Sequence, residues 1–415
     1  MNIVLKKGVV PTLFMILLVG CQSDASTVKK IDPLKPITAN PQVAVPTVNK
    51  CPGLIVSPDK LADGYVTSHG AMLNYDYKKL QGITRNMTSL GFDGMIVSSV
   101  FRGSQVNPGN SIFPQDKIFK GRDIFAEIKT VNPKMSVTAF LESGTLIQAL
   151  KTNEQSIKEL RALNYDGTDK VDADGVKLYQ LDLFNPKVVL ALVELSNSYA
   201  KNKNVNGLKF DDHFIIMPES GYSDYSIRRF LDESGVKTQS MDEKTIWSKR
   251  PKPNDKKWLE FKTKRVSFVF QQMIKSARGI NPNIEVGLTT NPDSFMIPRS
   301  HNPVVLSFAG VPNYVGYQLY NRDTVNFRSN YSVFEKQYAA RQMPCQTSTI
   351  VAILLGLSKD KYNPLVIEQS LVEIKKLRKV EFFGINTLNE GDDPKVLQSN
   401  QNSFRTSLVK WKQSK

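Results

Sequence analysis

Val205-Asn206-Gly207-Leu208-Lys209-Phe210-Asp211-Asp212-His213-Phe214 is the stretch on which the fold reading turns. It reads as a short strand running into acids. Strand alternation places Gly207, Lys209, Asp211 and His213 on one face, and Leu208, Phe210 and Asp212 on the other. Leu208 and Phe210 suit a face packed on helices. Asp211 is then expected to point into an open mouth with Lys209 beneath it, whereas the side that Asp212 takes depends on where the strand ends.

The same grammar repeats outward along the chain. Short apolar runs stand at His69–Leu73, Gly94–Val100, Ser136–Leu141, Glu285–Thr290, Tyr314–Leu319, Thr349–Leu354 and Val380–Asn386. Between them lie helix-period stretches: Tyr77–Leu90, Ile124–Thr130, Pro186–Tyr199, Trp258–Arg278, Leu365–Arg378 and Gln401–Trp411. Pro186 suits a first helical turn. Val266, Val269, Met273 and Ala277 step by three and four, which gives one apolar face. Alternating strands and helices argue for a parallel sheet with crossover helices. With the Gly207–Asp211 strand the count reaches eight, and the α/β class reading is a single (β/α)8 TIM barrel with long βα loops. The alternative is an open doubly wound sheet, but no G-x-G-x-x-G follows the first strand.

The ends of the chain and its composition bound the setting. Lys6 and Lys7 precede an apolar stretch of 13 residues, Gly8–Gly20, too short to span a bilayer comfortably. It closes on Leu18-Val19-Gly20-Cys21, which resembles the lipobox of bacterial lipoproteins, where the cysteine is lipidated. Residues 1–20 therefore read as a lipoprotein signal peptide, residues 21–60 as the lipidated cysteine and a proline-interrupted tether, and residues 61–415 as the barrel. Gln22 follows the cysteine, which in an enterobacterial setting points to the outer membrane. The expected location is the cell envelope, lipid-anchored and facing the periplasm. There, Cys51 and Cys345 are candidates for a disulfide, the alternative being two free thiols. The formal charge is +16, and residues 1–20 hold two lysines and no acids, so a processed chain keeps +14. Nucleic acid is not an expected partner of an exported protein. The basic run Lys249-Arg250-Pro251-Lys252, with Lys256 and Lys257, is read as a solvated face, or else as a surface for an acidic glycan or anionic lipid.

In an eight-stranded parallel barrel the chemistry sits at the C-terminal strand ends. Those positions carry Arg102, Glu142, Asp211, Asp212, His213, Asn291, Tyr320, Asp323 and Glu390. Carboxylates, amides and aromatics suit a polyhydroxylated ligand. Hydrolysis of a glycosidic bond needs two carboxylates, one to protonate the leaving oxygen and one to attack the anomeric carbon or activate water. Their separation sets the outcome, about 5–5.5 Å for retention and about 6.5–9.5 Å for inversion. Asp211 or Asp212 with Glu142 is the candidate catalytic set. His213, Tyr320, Asp323, Glu390, Asn291, Arg102 and Tyr222 are candidate substrate-binding residues. Several have a blander reading: a loop cap or a Lys209 partner for one Asp, a structural role for His213, an Arg322 salt bridge for Asp323, core packing for Tyr222, Tyr225, Tyr317 and Tyr320. No metal or cofactor is expected, because His69, His213 and His301 share no short spacing.

The Val205–Phe214 stretch resembles the fourth strand of the glycosyl-hydrolase-like family 10 barrels, roughly Asp-Gly-Ile-His-Phe-Asp-Asp-Tyr/His-Phe. Other matches follow in order. Leu181-Asp182-Leu183-Phe184-Asn185-Pro186 is similar to the segment before the family's third helix, and Phe140-Leu141-Glu142-Ser143-Gly144 to its Trp-Phe-Glu-Tyr-Gly strand end. Gly221-Tyr222-Ser223-Asp224-Tyr225 is similar to a Gly-Tyr-Asp-x-Tyr loop. Trp258 through Phe268 is similar to a Trp-x-x-(Phe/Trp)-(Arg/Lys) helix, and Tyr317–Asp323 to a Gln-x-Tyr-Arg-Asp strand. A more distant likeness is to the C-terminal hydrolase barrel of the periplasmic poly-β-1,6-N-acetylglucosamine deacetylase. The resemblance implies a glycoside hydrolase of an envelope or exported polysaccharide. Departures stand beside it: Asn206 replaces the usual Asp, Phe140 and Leu141 replace a more aromatic pair, and the seventh strand ends in Leu355-Gly356-Leu357 without an acid. The alternative is a non-catalytic glycan-binding or scaffold lipoprotein barrel. Protein partners and oligomeric state are not legible.

Overall fold

The computed structural model describes residues 64–68, 77–89, 94–101, 104–105, 123–141, 146–148, 158–171, 177–210, 214–290, 314–318, 350–356 and 382–386, with the single positions Ser399 and Thr406. The chain divides into two units, residues 1–44 and 45–415, and every described residue lies in the second.

Strands alternate with helices in chain order: β1 (Gly64–Ser68), α1 (Tyr77–Ser89), β2 (Gly94–Phe101), β3 (Ser104–Gln105), α2 (Ile124–Val131), β4 (Ser136–Leu141). There follow β5 (Leu146–Gln148), β6 (Arg161–Ala162), β7 (Lys170–Val171), β8 (Lys177–Leu181), α3 (Pro186–Lys201) and β9 (Gly207–Phe210). Then come α4 (Asp224–Glu233), α5 (Glu243–Ser248), α6 (Lys256–Ile280), β10 (Glu285–Thr290), β11 (Tyr314–Gln318), β12 (Ile350–Gly356) and β13 (Phe382–Asn386). The order β1-β13-β12-β11-β10-β9-β4-β2, closed by β1 on β2, makes a ring of eight parallel strands. This is the (β/α)8 barrel that the alternation implies, and the closure excludes the open doubly wound sheet. The described part of the first strand lies just before the expected run. The apolar run 69–73 lies outside the described residues. The strand that pairs with β2 and β13 is the Tyr-Val-Thr segment just before it, whose β-branched and aromatic residues suit a pleated surface. The segments 365–378 and 401–411, expected as helices, fall outside the described residues but for Thr406, which is helical.

Side-chain alternation separates two layers. Val137, Ala139 and Leu141 of β4, Leu208 and Phe210 of β9, and Val286 and Leu288 of β10 join the apolar core under the helices. Phe210 meets Phe270 of α6 edge-on at 4.8 Å between ring centroids. The opposite pleat faces the lumen. Thr138, Gly207 and Glu285 are register partners in one layer. A methyl group on Gly207 would stand 3.0 Å from Thr138 Oγ1 and 3.2 Å from Glu285 Cβ, so only glycine fits between them without a shift. One step up, Phe140 pairs with Lys209, and the Lys209 ammonium lies 5.6 Å from the Phe140 ring centre. Asn206 locks the base. Its Oδ1 accepts from Val137 N at 2.9 Å, its N–H donates to Val137 O at 2.7 Å, and its carbonyl accepts from Glu285 N at 3.0 Å. The departure from aspartate at this position thus keeps the side-chain acceptor that the neighbouring strand uses.

Helix starts carry their own stops. Asn185 caps α3 by accepting from Lys187 N, with Pro186 in the first turn. Asp255 caps α6 through Lys257 N and Trp258 N. Ser223 and Ser226 form a reciprocal capping box on α4. Among the described residues no helix is long and apolar enough to cross a membrane.

Candidate active site

Parallel closure brings the strand ends to one rim, and two neighbouring strands matter most. In β4 and β9, Leu141 is the register partner of Phe210. The next residues in the chain are Glu142 and Asp211. Glu142, Asp211, Asp212 and His213 themselves lie outside the described residues. So do Arg102, which follows β2, Asn291, which follows β10, and Tyr320, Asp323 and Glu390. Cys21, Cys51 and Cys345 fall outside as well. What the structure supplies is the frame from which the carboxylate-bearing segments spring.

That frame is a fusion of two insertions. The segment leaving β4 folds into a small antiparallel sheet in which β8 pairs with β5, β6 and β7. The segment leaving β9 resumes at Phe214 and runs to α4. Leu163 and Tyr222 bond reciprocally, Leu163 N to Tyr222 O at 2.7 Å and Tyr222 N to Leu163 O at 3.0 Å. Tyr165 N donates to Glu219 O at 2.8 Å, and Arg250 Nε donates to Tyr165 O at 2.8 Å. The same guanidinium stacks 4.4 Å over the Tyr165 ring. Arg250, expected on a solvated basic face, is therefore spent on structure, while Lys249, Lys252, Lys256 and Lys257 are exposed.

Tyr222 is corrected by the structure. It is fully buried, its hydroxyl donates to Pro251 O at 3.1 Å, and its ring packs 5.2 Å from Trp258. Burial raises the phenol above its ordinary range. A ring with no exposed face offers no platform to a sugar, so Tyr222 is a core residue. Tyr225, at the start of α4, is half exposed.

Three buried charges shape the surroundings, and sequence reasoning gave none of them a role. Asp182 is buried, and its Oδ1 accepts from Phe184 N at 2.9 Å. Loss of water raises its carboxyl to about 6, against the pull of the Ser223 hydroxyl, the Phe184 amide and the Arg265 guanidinium. Lys262 is 2% exposed. Burial lowers its ammonium to about 7, with Glu219 opposing. Burial likewise lowers Arg265 to about 10, so it stays charged at neutral pH. The sequence signal was present: both cations sit in the buried stripe of α6, among Trp258, Phe261, Val266 and Val269, where an apolar residue is the norm. Among the described residues no three His, Cys, Asp or Glu side chains gather closely enough to hold a metal ion.

A closed parallel barrel with long insertions on the rim where its strands end is an architecture shared by many hydrolases. The comparisons narrow it. Residues 93–373 match the family Glycosyl hydrolase-like 10, more than half of the chain, and the protein belongs to that family. No curated protein matches it. Among solved structures it is similar to the glycoside hydrolase domain of PgaB (BpsB) from Bordetella bronchiseptica, with 12% identity and a TM-score of 0.57 over 83% of this chain and 98% of that one. It is also similar to the catalytic domain of β-amylase from Paenibacillus polymyxa, with 11% identity and a TM-score of 0.53 over 84% and 99%. A cold-adapted β-galactosidase from Rahnella sp. R3 aligns with 12% identity and a TM-score of 0.59 over 84% of this chain and 56% of that one. At such identities the likeness speaks to the fold.

Proposed function

We propose that the protein is a glycoside hydrolase of an envelope or exported polysaccharide, with Glu142 and Asp211 or Asp212 as the catalytic carboxylates. One observation carries the reading: β4 and β9 are neighbours, and their described ends, Leu141 and Phe210, stand in register one residue before Glu142 and Asp211. Phe140 and Lys209 both belong to the lumen pleat, and the reading takes Glu142 and Asp211, two residues on from each, as sharing that face by strand alternation. Adjacent strands are about 4.8 Å apart, close enough for two acids to flank a single sugar linkage. A buried ammonium at Lys209, one pleat step below, favours ionisation of whichever carboxylate lies nearer to it, leaving the other to serve as the acid. His213, Asn291, Tyr320, Asp323, Glu390 and Arg102 are assigned to substrate hydroxyls and charges. Cys21 is assigned as the lipid attachment point, which holds the barrel at the membrane on the periplasmic side.

The test is hydrolysis itself. The purified protein is incubated with envelope glycans and new reducing ends are counted. Glu142→Gln and either Asp211→Asn or Asp212→Asn are expected to lower turnover by at least about a hundredfold, the scale of a general acid or base, with unchanged circular dichroism. Full activity in all three variants, or no product from any glycan, defeats the reading. The anomeric configuration of the first product reports the carboxyl separation.

A further inference from the structure

Two cations one turn apart on α6 grip two different insertions. Lys262 Nζ donates to the carbonyls of Met217 at 2.8 Å, Pro218 at 2.9 Å and Ser220 at 3.1 Å. Those carbonyls belong to the segment that leaves β9. Arg265 Nε donates to Leu183 O at 2.7 Å. Leu183 closes the insertion that leaves β4, two residues past β8, and β8 pairs with β5, which begins four residues after Glu142. Spacing of three residues puts both side chains on one helix face. Both are buried, and among the described residues neither forms an ion pair. Their counter-charges, Glu219 for Lys262 and Asp182 for Arg265, act on them without forming an ion pair, and a hydrophobic residue of similar length in place of such a buried cation is often no less stable. The donors are spent on backbone carbonyls of the insertions that follow β4 and β9 in the chain.

We propose that Lys262 and Arg265 are positioning residues: together they fix the two insertions that follow β4 and β9 in the chain, the insertions that begin with the proposed carboxylates Glu142 and Asp211-Asp212. The proposal rests on the function proposed above, because it is those carboxylates that the two insertions carry. Helix α6 is the shared datum. Lys262 saturates its three donors on one loop, aromatic faces of Trp258 and Tyr222 enclose the ammonium at 5.3 and 5.8 Å, and Arg265 lies 5.5 Å from the Phe184 ring. The reciprocal Leu163–Tyr222 bond then ties the two gripped segments to each other.

The experiment compares the full chain with Lys262→Met, Lys262→Arg and Arg265→Lys, using whichever glycan the wild type cleaves. Misplacement of a reacting group by about 1 Å costs on the order of a hundredfold in rate. Lys262→Met is expected to lower kcat by about that factor with KM within threefold of wild type, and Lys262→Arg, which keeps charge and donors, to recover at least tenfold. A residue with a merely structural role would lower the folded fraction and leave kcat per folded molecule alone. Wild-type kcat in Lys262→Met, or no recovery in Lys262→Arg, overturns the proposal. A readout independent of activity separates the two hypotheses. Hydrogen exchange in Lys262→Met is expected to rise over residues 214–222 and, through the bridge, over residues 160–165, with β10 and α3 unchanged. An inactive wild type defeats the proposed function, and the exchange pattern still decides whether Lys262 holds the two insertions together. If Lys262→Met does not fold, Lys262→Gln serves in both arms, since it removes the charge and keeps two donors.

Discussion

Gly221→Ala is a sharp test of how the β9 insertion is built. Gly221 sits at φ +87°, and a Cβ built there falls 2.2 Å from Ile216 Cγ2 and 3.4 Å from Lys262 Cδ. Two penalties combine. A left-handed backbone costs a side-chain-bearing residue about 1–2 kcal/mol. Carbon atoms pack at about 3.5–4.0 Å, so Ile216, itself buried, must be driven out of place, and overpacking of this kind costs about 1–3 kcal/mol. The expected loss is roughly 2–5 kcal/mol of unfolding free energy. Gly235 provides the control, with nearly the same φ of +86° and nothing within 4 Å of a built Cβ. Gly235→Ala should lose only the conformational share, about 1–2 kcal/mol. Urea unfolding followed by tryptophan fluorescence measures both, with an unchanged m-value showing that only stability moved. Gly221 lies between Ser220, whose carbonyl Lys262 holds, and Tyr222, which bridges to Leu163. The larger loss should therefore come with faster amide exchange in that segment. Equal losses in the two variants, or a Gly221→Ala protein as stable as wild type, would refute the packing argument.

Other outcomes follow from the same frame. The Asp182 carboxyl stands at about 6 against 3.8 for a free one. The folded chain therefore binds its proton more tightly, and this contribution to stability is complete below pH 4 and is lost as pH rises through 6. Two units amount to at most about 3 kcal/mol, so Asp182→Asn should gain on wild type by up to that amount between pH 4 and 7. Melting temperature as a function of pH checks it, and parallel curves would contradict it. At the barrel base, where Asn206 itself is exposed, Asn206→Asp keeps the acceptor for Val137 N and should stay close to wild type, whereas Asn206→Ala loses one part-buried hydrogen bond at about 0.5–1.5 kcal/mol. Chemical denaturation separates the two.

The sequence alone determined the barrel, because a parallel strand buried on both faces announces itself locally. Ser136–Leu141 and Glu285–Thr290 coincide with their expected runs, and Gly207–Phe210 forms β9 within its expected run. Lumen and helix-facing positions follow from alternation, which puts Lys209 on the lumen side, where it meets Phe140. The strand at 64–68 has lower apolar content than the run after it; its pairing with β2 and β13 is a long-range fact that no local pattern contains. Tertiary structure alone decided what the polar and aromatic groups do. Tyr222 carries the same residue type whether it lines a cleft or fills a core, and only packing against Trp258 and Pro251 makes it the latter. Arg250 reads as one charge in a basic run until it is seen gripping a carbonyl 85 residues away in the chain. Lys262 and Arg265 interrupt an apolar stripe for a reason that no local pattern contains, since their acceptors lie 42 to 82 residues distant. Periodicity is a property of neighbours in the chain, whereas a hydrogen bond to a distant loop exists only once the chain has closed into the barrel.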